Sequence, residues 1–157
     1  MKYRHSLSFI LAFLIAAVAV VSAEAQTITG SLCETSAAPG ATVRGSIVLD
    51  IPAGLHVNSN RPYSEYAIPT TVELSGNGVT PGAITYPEGT NRKFQFSESE
   101  LNVYEGKVVI PFTLTVSKDF RGGRLSVKAL VRYQACTEEV CYQPKNKEIV
   151  MTAVVKK

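Results

Sequence analysis

The sequence predicts an all-β domain built from two antiparallel sheets packed face to face. Three observations predict it. Apolar residues in every strongly patterned segment recur with a period of two, not 3.6. Turn signals break the chain at short intervals: Pro39-Gly40, Pro52-Ala53-Gly54, Gly76-Asn77-Gly78, Pro81-Gly82 and Gly122-Gly123. No window carries a helical stripe. Roughly seven to nine short strands in about 130 residues fit an antiparallel β-sandwich of immunoglobulin-like type.

The elements follow in chain order. Lys2, Arg4 and His5 form a positive start, and Leu7 to Val21 is an apolar run. Ala23-Glu24-Ala25 then offers small residues at the positions a signal peptidase reads. Residues 1–25 therefore read as a signal peptide cleaved before Gln26, because the run is shorter than the roughly 20 residues of a spanning helix. Residues 26–157 read as one exported domain without a membrane span. Thr42 to Ile51 places Val43, Ile47, Leu49 and Ile51 on one face, with Arg44, Ser46 and Asp50 on the other. Lys107 to Val116 aligns Val108, Ile110, Phe112, Leu114 and Val116, and Pro111 inside it predicts an edge or a bulge. Leu125 to Tyr133 alternates in the same way, and Glu148 to Val155 is rich in β-branched residues. Shorter candidates are Ile28 to Leu32, Leu55 to Asn58, Thr70 to Leu74 and Ala83 to Tyr86. Glu88 to Asn102 is polar with little alternation and holds Phe94 and Phe96. It reads as the longest loop, and loops of that length are often functional.

Composition narrows the chemistry. Without Lys2, Arg4 and Glu24 the chain keeps a net charge of +2, and no Lys/Arg run marks a nucleic-acid or membrane surface. His56 is the one histidine beyond the leader, which argues against a His-built metal site or a Ser/His/Asp hydrolase. It reads as a surface or hydrogen-bonded structural histidine. Sulfur is left as the reactive element.

Cys136 and Cys141 are separated by Thr137-Glu138-Glu139-Val140. In a hairpin with a four-residue loop they face each other, and opposed residues lie about 4.5 or 5.5 Å apart at Cα. Disulfides accept roughly that separation, and an oxidising compartment favours the bond. Pro144 places the returning strand near an edge. A structural staple and a redox couple both fit this spacing. A loop this short stabilises by only about 2 kcal/mol on the chain-entropy model, and exposed disulfides tend to be labile. A zinc half-site would need a second pair, which is missing. Glu138 and Glu139 should raise the thiol pKa values, with Arg132 and Lys145 offsetting part of that effect. Cys33, the odd cysteine, reads as a buried apolar residue of the first strand, or else as an intermolecular or third redox thiol.

These residues resemble a known family. Tyr133-Gln134-Ala135-Cys136 and Val140-Cys141-Tyr142-Gln143-Pro144 are similar to the cysteine signature of the N-terminal periplasmic domain of the thiol:disulfide interchange protein DsbD. Gly54 to Asn60, Tyr66 to Thr70 and Tyr104 to Leu114 agree in the same order, so the likeness runs from about Ile28 to Val155. Two departures stand out. The family's best-known members have one more residue between the cysteines, and Gln143 replaces the first proline of the signature.

The resemblance implies an immunoglobulin-like domain with a redox hairpin and a cap loop. By it, Cys136 and Cys141 relay electrons in the periplasm, from a membrane electron-donor protein to periplasmic thioredoxin-like proteins, without a cofactor. Cys141 makes the mixed disulfide and Cys136 resolves it. Phe96, or else Phe94, shields the pair, and Tyr133 and Tyr142 flank it as packing or docking residues. The chain reads as a stand-alone carrier of protein-disulfide-reductase type, lacking the membrane and thioredoxin-like domains. The alternative is a non-enzymatic envelope binding module whose hairpin disulfide is structural.

Overall fold

A computed structural model describes residues 26–156. The leader expected over residues 1–25 lies outside them. Every strand and helix assignment among the described residues is a strand: β1 (Thr27–Leu32), β2 (Ser36–Ala37), β3 (Thr42–Asp50), β4 (His56–Asn58), β5 (Thr71–Ser75), β6 (Val79–Ile84), β7 (Thr90–Arg92), β8 (Leu101–Tyr104), β9 (Lys107–Val116), β10 (Gly123–Tyr133), β11 (Ala135–Cys136) and β12 (Lys145–Val155). Among those residues no helix is long and apolar enough to cross a membrane.

Two four-stranded sheets form the sandwich, in the orders β1-β3-β9-β6 and β2-β12-β10-β5. All their pairings are antiparallel except that of β2 with β12. Alternation decides which face turns inward. Val43, Ile47 and Leu49 of β3, with Val108, Ile110, Phe112, Leu114 and Val116 of β9, are buried against Leu125, Val127, Ala129 and Val131 of β10. Each such aliphatic side chain contributes about 1.5–3 kcal/mol by leaving water. Gly45 interrupts the apolar series of β3 for a reason: the Phe112 ring of β9 lies where its Cβ would be.

Pro111 sits in an inner strand rather than at an edge. Its carbonyl accepts from the Thr85 N–H, so its nitrogen faces the same neighbour, and there the β6–β9 register shifts between Pro81 and Ile84. The missing donor is thus accommodated by a bulge.

A third, smaller sheet, β11-β4-β8-β7, closes one end of the sandwich. The long β10–β12 hairpin runs in register from Gly123↔Val155 to Tyr133↔Lys145. Beyond it the chain turns at Gln134, and β11 pairs with β4 instead. The segment expected to be one loop, 88–102, contains β7 and the start of β8, and its longest irregular stretch is 93–100. All four residues of β8 are buried, so no alternation marks it, and β7 is exposed with a polar sequence.

Candidate functional site

The cysteines close the tip of the β10–β12 hairpin. The Thr137 N–H donates to the Val140 carbonyl and the Tyr142 N–H to the Ala135 carbonyl, each at 2.8 Å. Cys136 and Cys141 fall between these bonds as the narrow pair of the ladder, with Cα atoms 4.0 Å apart, and a disulfide joins them. Thr137 fastens the turn further, since its Oγ1 accepts from the Glu139 and Val140 N–H groups. The two sulfur-bearing residues differ in access: Cys136 is 0% exposed, whereas Cys141 is exposed.

The irregular segment after β7 lies over this tip. Phe94 is buried and stacks on the His56 ring at 4.1 Å between centroids. Phe96 stacks on the outer side of Phe94 at 5.2 Å and is 39% exposed. Phe94 also packs with Leu101 and Val103 in a small apolar cluster separate from the main core. Phe96, Cys141, Tyr63, Tyr66, Ala67 and Leu101 line one open cleft of about 840 Å³.

Arg92, the last residue of β7, ties three elements together. It donates to Glu105 at 2.6 Å and to Glu138 of the cysteine turn at 2.9 Å, and its guanidinium lies 5.5 Å from the Phe94 ring centre. The charge offsetting Glu138 is thus Arg92, where Arg132 and Lys145 were expected to act. Glu139 is exposed and makes no ion pair among the described residues.

Gln134 anchors the other wall. Its Oε1 accepts from Asn58 Nδ2 and the Ile68 N–H, and its Nε2 donates to the Tyr142 carbonyl. Asn58 Nδ2 also reaches the Ile68 carbonyl, and Thr70 Oγ1 donates to the Asn58 carbonyl at 2.6 Å. These bonds hold the 59–69 segment against the hairpin, with Tyr63 66% and Tyr66 87% exposed beside Cys141. Tyr63 adopts a left-handed φ of 64°, a costly conformation for an aromatic residue.

Three expectations need correction. Tyr133 is buried, with its phenol pKa raised by that burial, so it belongs to the core while Tyr142 remains on the surface. Cys33 is exposed just past β1, in a different sheet from the pair, because β1 is an edge strand whose covered face ends before it. His56 is not on the surface: it is buried, and its Nε2 has no hydrogen-bond partner. Burial holds its pKa below the ordinary value, while the Glu138 and Glu105 carboxylates act in the opposite sense and Arg92 adds to the lowering. Among the described residues no group of three His, Cys, Asp or Glu side chains is arranged to hold a metal.

A family model described as the N-terminal part of the thiol:disulfide interchange protein DsbD matches residues 23–153. The chain belongs to that family. No curated protein gives a significant match. Among solved structures, the N-terminal periplasmic domain of ScsB from Proteus mirabilis superimposes with a TM-score of 0.52 at 13% identity, over 80% of this chain and 44% of that one. The reduced DsbD N-terminal domain of Neisseria meningitidis gives 0.49 at 17% identity, covering 81% and 85%. The same organism's DsbD N-terminal domain in complex with the PilB N-terminal domain gives 0.48 at 17%, covering 78% and 80%. For this DsbD N-terminal family member, sequence reasoning found the cysteines and both phenylalanines. It missed Arg92 and Tyr63, which lie on no periodic or motif-like pattern. It also missed the bracing role of Gln134, because the signature that contains Gln134 does not say what its side chain touches.

Proposed function

We propose that this domain is a periplasmic thiol–disulfide exchange module that relays electrons between protein partners through Cys136 and Cys141. The observation that carries the reading is the asymmetry of the pair: one sulfur-bearing residue is open to a docked partner and the other is enclosed. A partner thiolate attacks the Cys141 sulfur, the disulfide opens, and Cys136 leaves with the electron pair. A second partner thiol then attacks the mixed disulfide and releases Cys141, so that two electrons and two protons enter the domain. In the reverse direction the Cys141 thiolate attacks an acceptor disulfide, and Cys136 resolves the intermediate.

Exposed aromatic side chains suit the docking surface: Tyr63, Tyr66, Phe96 and Tyr142 lie around the entrance or on the cysteine turn, and such residues are enriched in interface cores. Phe96, stacked on Phe94, is the cap over the pair, and Glu138 and Glu139 restrain the reactivity of the free thiols towards small oxidants. Membership in the DsbD N-terminal family supports a membrane-embedded electron donor and thioredoxin-like acceptors as the partners, and the leader pattern of residues 1–25 supports export through cleavage after Ala25. The chemistry requires no organic cofactor.

The deciding experiment is an equilibrium redox titration of residues 26–157, with thiols trapped and located by mass. The expected result is a potential above about −300 mV with Cys141 trapped first. A pair that yields only when strong reductant unfolds the domain would instead make the disulfide structural and the protein a binding module.

A further inference from the structure

His56 is the buried titratable group that the exchange steps above leave unused, and its position is specific. The β4–β11 register pairs His56 directly with Cys136. Directly opposed residues of an antiparallel pair project from the same face of the sheet with neighbouring Cβ atoms. The imidazole is 1% exposed, covered by Phe94, and its Nε2 lacks any partner. Buried polar atoms without partners are rare and costly, so one on the residue paired with Cys136 calls for an explanation. The oxidation state supplies it. In the disulfide, Cys136 has no proton to donate; in the dithiol it has one.

We propose that His56 is the proton acceptor and donor for Cys136 during exchange. The inference rests on the exchange reading above and extends it to the enclosed half of the couple. In the resolving step the Cys136 thiol passes its proton to His56 Nε2. The resulting thiolate attacks the Cys141 sulfur of the mixed disulfide, the Cys141–partner S–S bond breaks, and the partner sulfur leaves with the electron pair. That leaving thiolate takes up the proton from the imidazolium, so two electrons and two protons have left the domain once both steps are counted. In the opposite direction the neutral imidazole takes up the proton of the attacking partner thiol and passes it to the Cys136 sulfur as the disulfide opens.

The surroundings suit both states of the ring. Burial favours neutral imidazole, the form that accepts a proton. Glu138 of the cysteine turn and Glu105 after β8 favour the transient imidazolium, whereas Arg92 of β7 opposes it while bound to both carboxylates. Phe94 and the enclosed sheet exclude water, which otherwise would carry the proton. An enclosed Cys136 therefore has a built-in base where a solvent-exposed cysteine would need none.

His56 is the one histidine in residues 26–157, so its ring resonances are identifiable without assignment. Nitrogen-detected NMR titrations of the oxidised and dithiothreitol-reduced wild-type domain should give midpoints differing by half a pH unit or more, with the Nε2 shift changing on reduction. In kinetics, the reduced domain is mixed with glutathione disulfide and acid-quenched. His56→Phe keeps an aromatic ring against Phe94; it should accumulate Cys141–glutathione and resolve it at least tenfold more slowly at pH 7, with the first attack unchanged. That deficit should vanish by about pH 9–10, where the thiol ionises unaided. Identical titrations in the two redox forms, or wild-type resolution by His56→Phe, would overturn the assignment while leaving the exchange reading intact. A wild-type pair that cannot be reduced in the folded domain would remove both.

Discussion

Phe94 and Phe96 are two positions apart in sequence and stacked in space, yet they do different work. Phe94 is 3% exposed, wedged between His56 and the Leu101–Val103 cluster. Phe96 presents much of its ring to the cleft it shares with Cys141. Truncation should separate the two roles. Phe94→Ala removes a buried ring and should cost about 3 kcal/mol or more, read as a drop in thermal midpoint. Phe96→Ala should leave stability within about 1 kcal/mol, because a partly exposed ring loses little on deletion. It should also raise the rate of Cys141 reduction by dithiothreitol severalfold. A Phe96→Ala domain reduced at the wild-type rate would show that this ring does not shield the pair.

At the scale of elements, the end of β7 is joined to the cysteine turn through Arg92 and Glu138 and to the end of β8 through Glu105. Both ion pairs are solvent-accessible, so each is worth at most about 1 kcal/mol. That is too small to matter for folding and large enough to bias where the short 93–100 segment sits. Glu138→Gln should leave the thermal midpoint within a few degrees and raise the dithiothreitol reduction rate up to about fivefold. The ratio should shrink in high salt, which screens the wild-type pair. Equal rates for both proteins at low salt would count against a latch.

Legibility at this scale followed burial. Strands β3, β9, β10 and β12 were readable because one face meets the core and the other meets water, so composition alternates along them. Strand β8 was not, because it is buried on both faces, and β7 was not, because its side chains are largely exposed. The same reason limited the site. Cys136 and Cys141 declare themselves by type and spacing, whereas Arg92 and Tyr63 acquire meaning only from a third sheet whose strands are too short to leave a period.

For the molecule as a whole, the disulfide sits outside the structure that holds the fold. The main core is formed between the two large sheets, and Ile47, Leu49, Ile110, Leu114, Leu125 and Val127 are all fully buried there, in strands that carry neither cysteine. The bond closes a sequence separation of 5 inside a hairpin already held by backbone hydrogen bonds. Loop-closure entropy for so short a ring amounts to about 2 kcal/mol. A domain of this size loses roughly 3–4 °C of midpoint per kcal/mol, so breaking the bond should lower the melting temperature by about 5–10 °C. The reduced protein, and a Cys136→Ser, Cys141→Ser double variant, should therefore keep the far-ultraviolet spectrum of the oxidised form and unfold in one cooperative transition. An electron carrier needs this tolerance, because it must persist in both redox states. Collapse of the β spectrum on reduction under native conditions would mean that the sandwich depends on its hairpin tip, and a couple of that kind would be unfit to cycle.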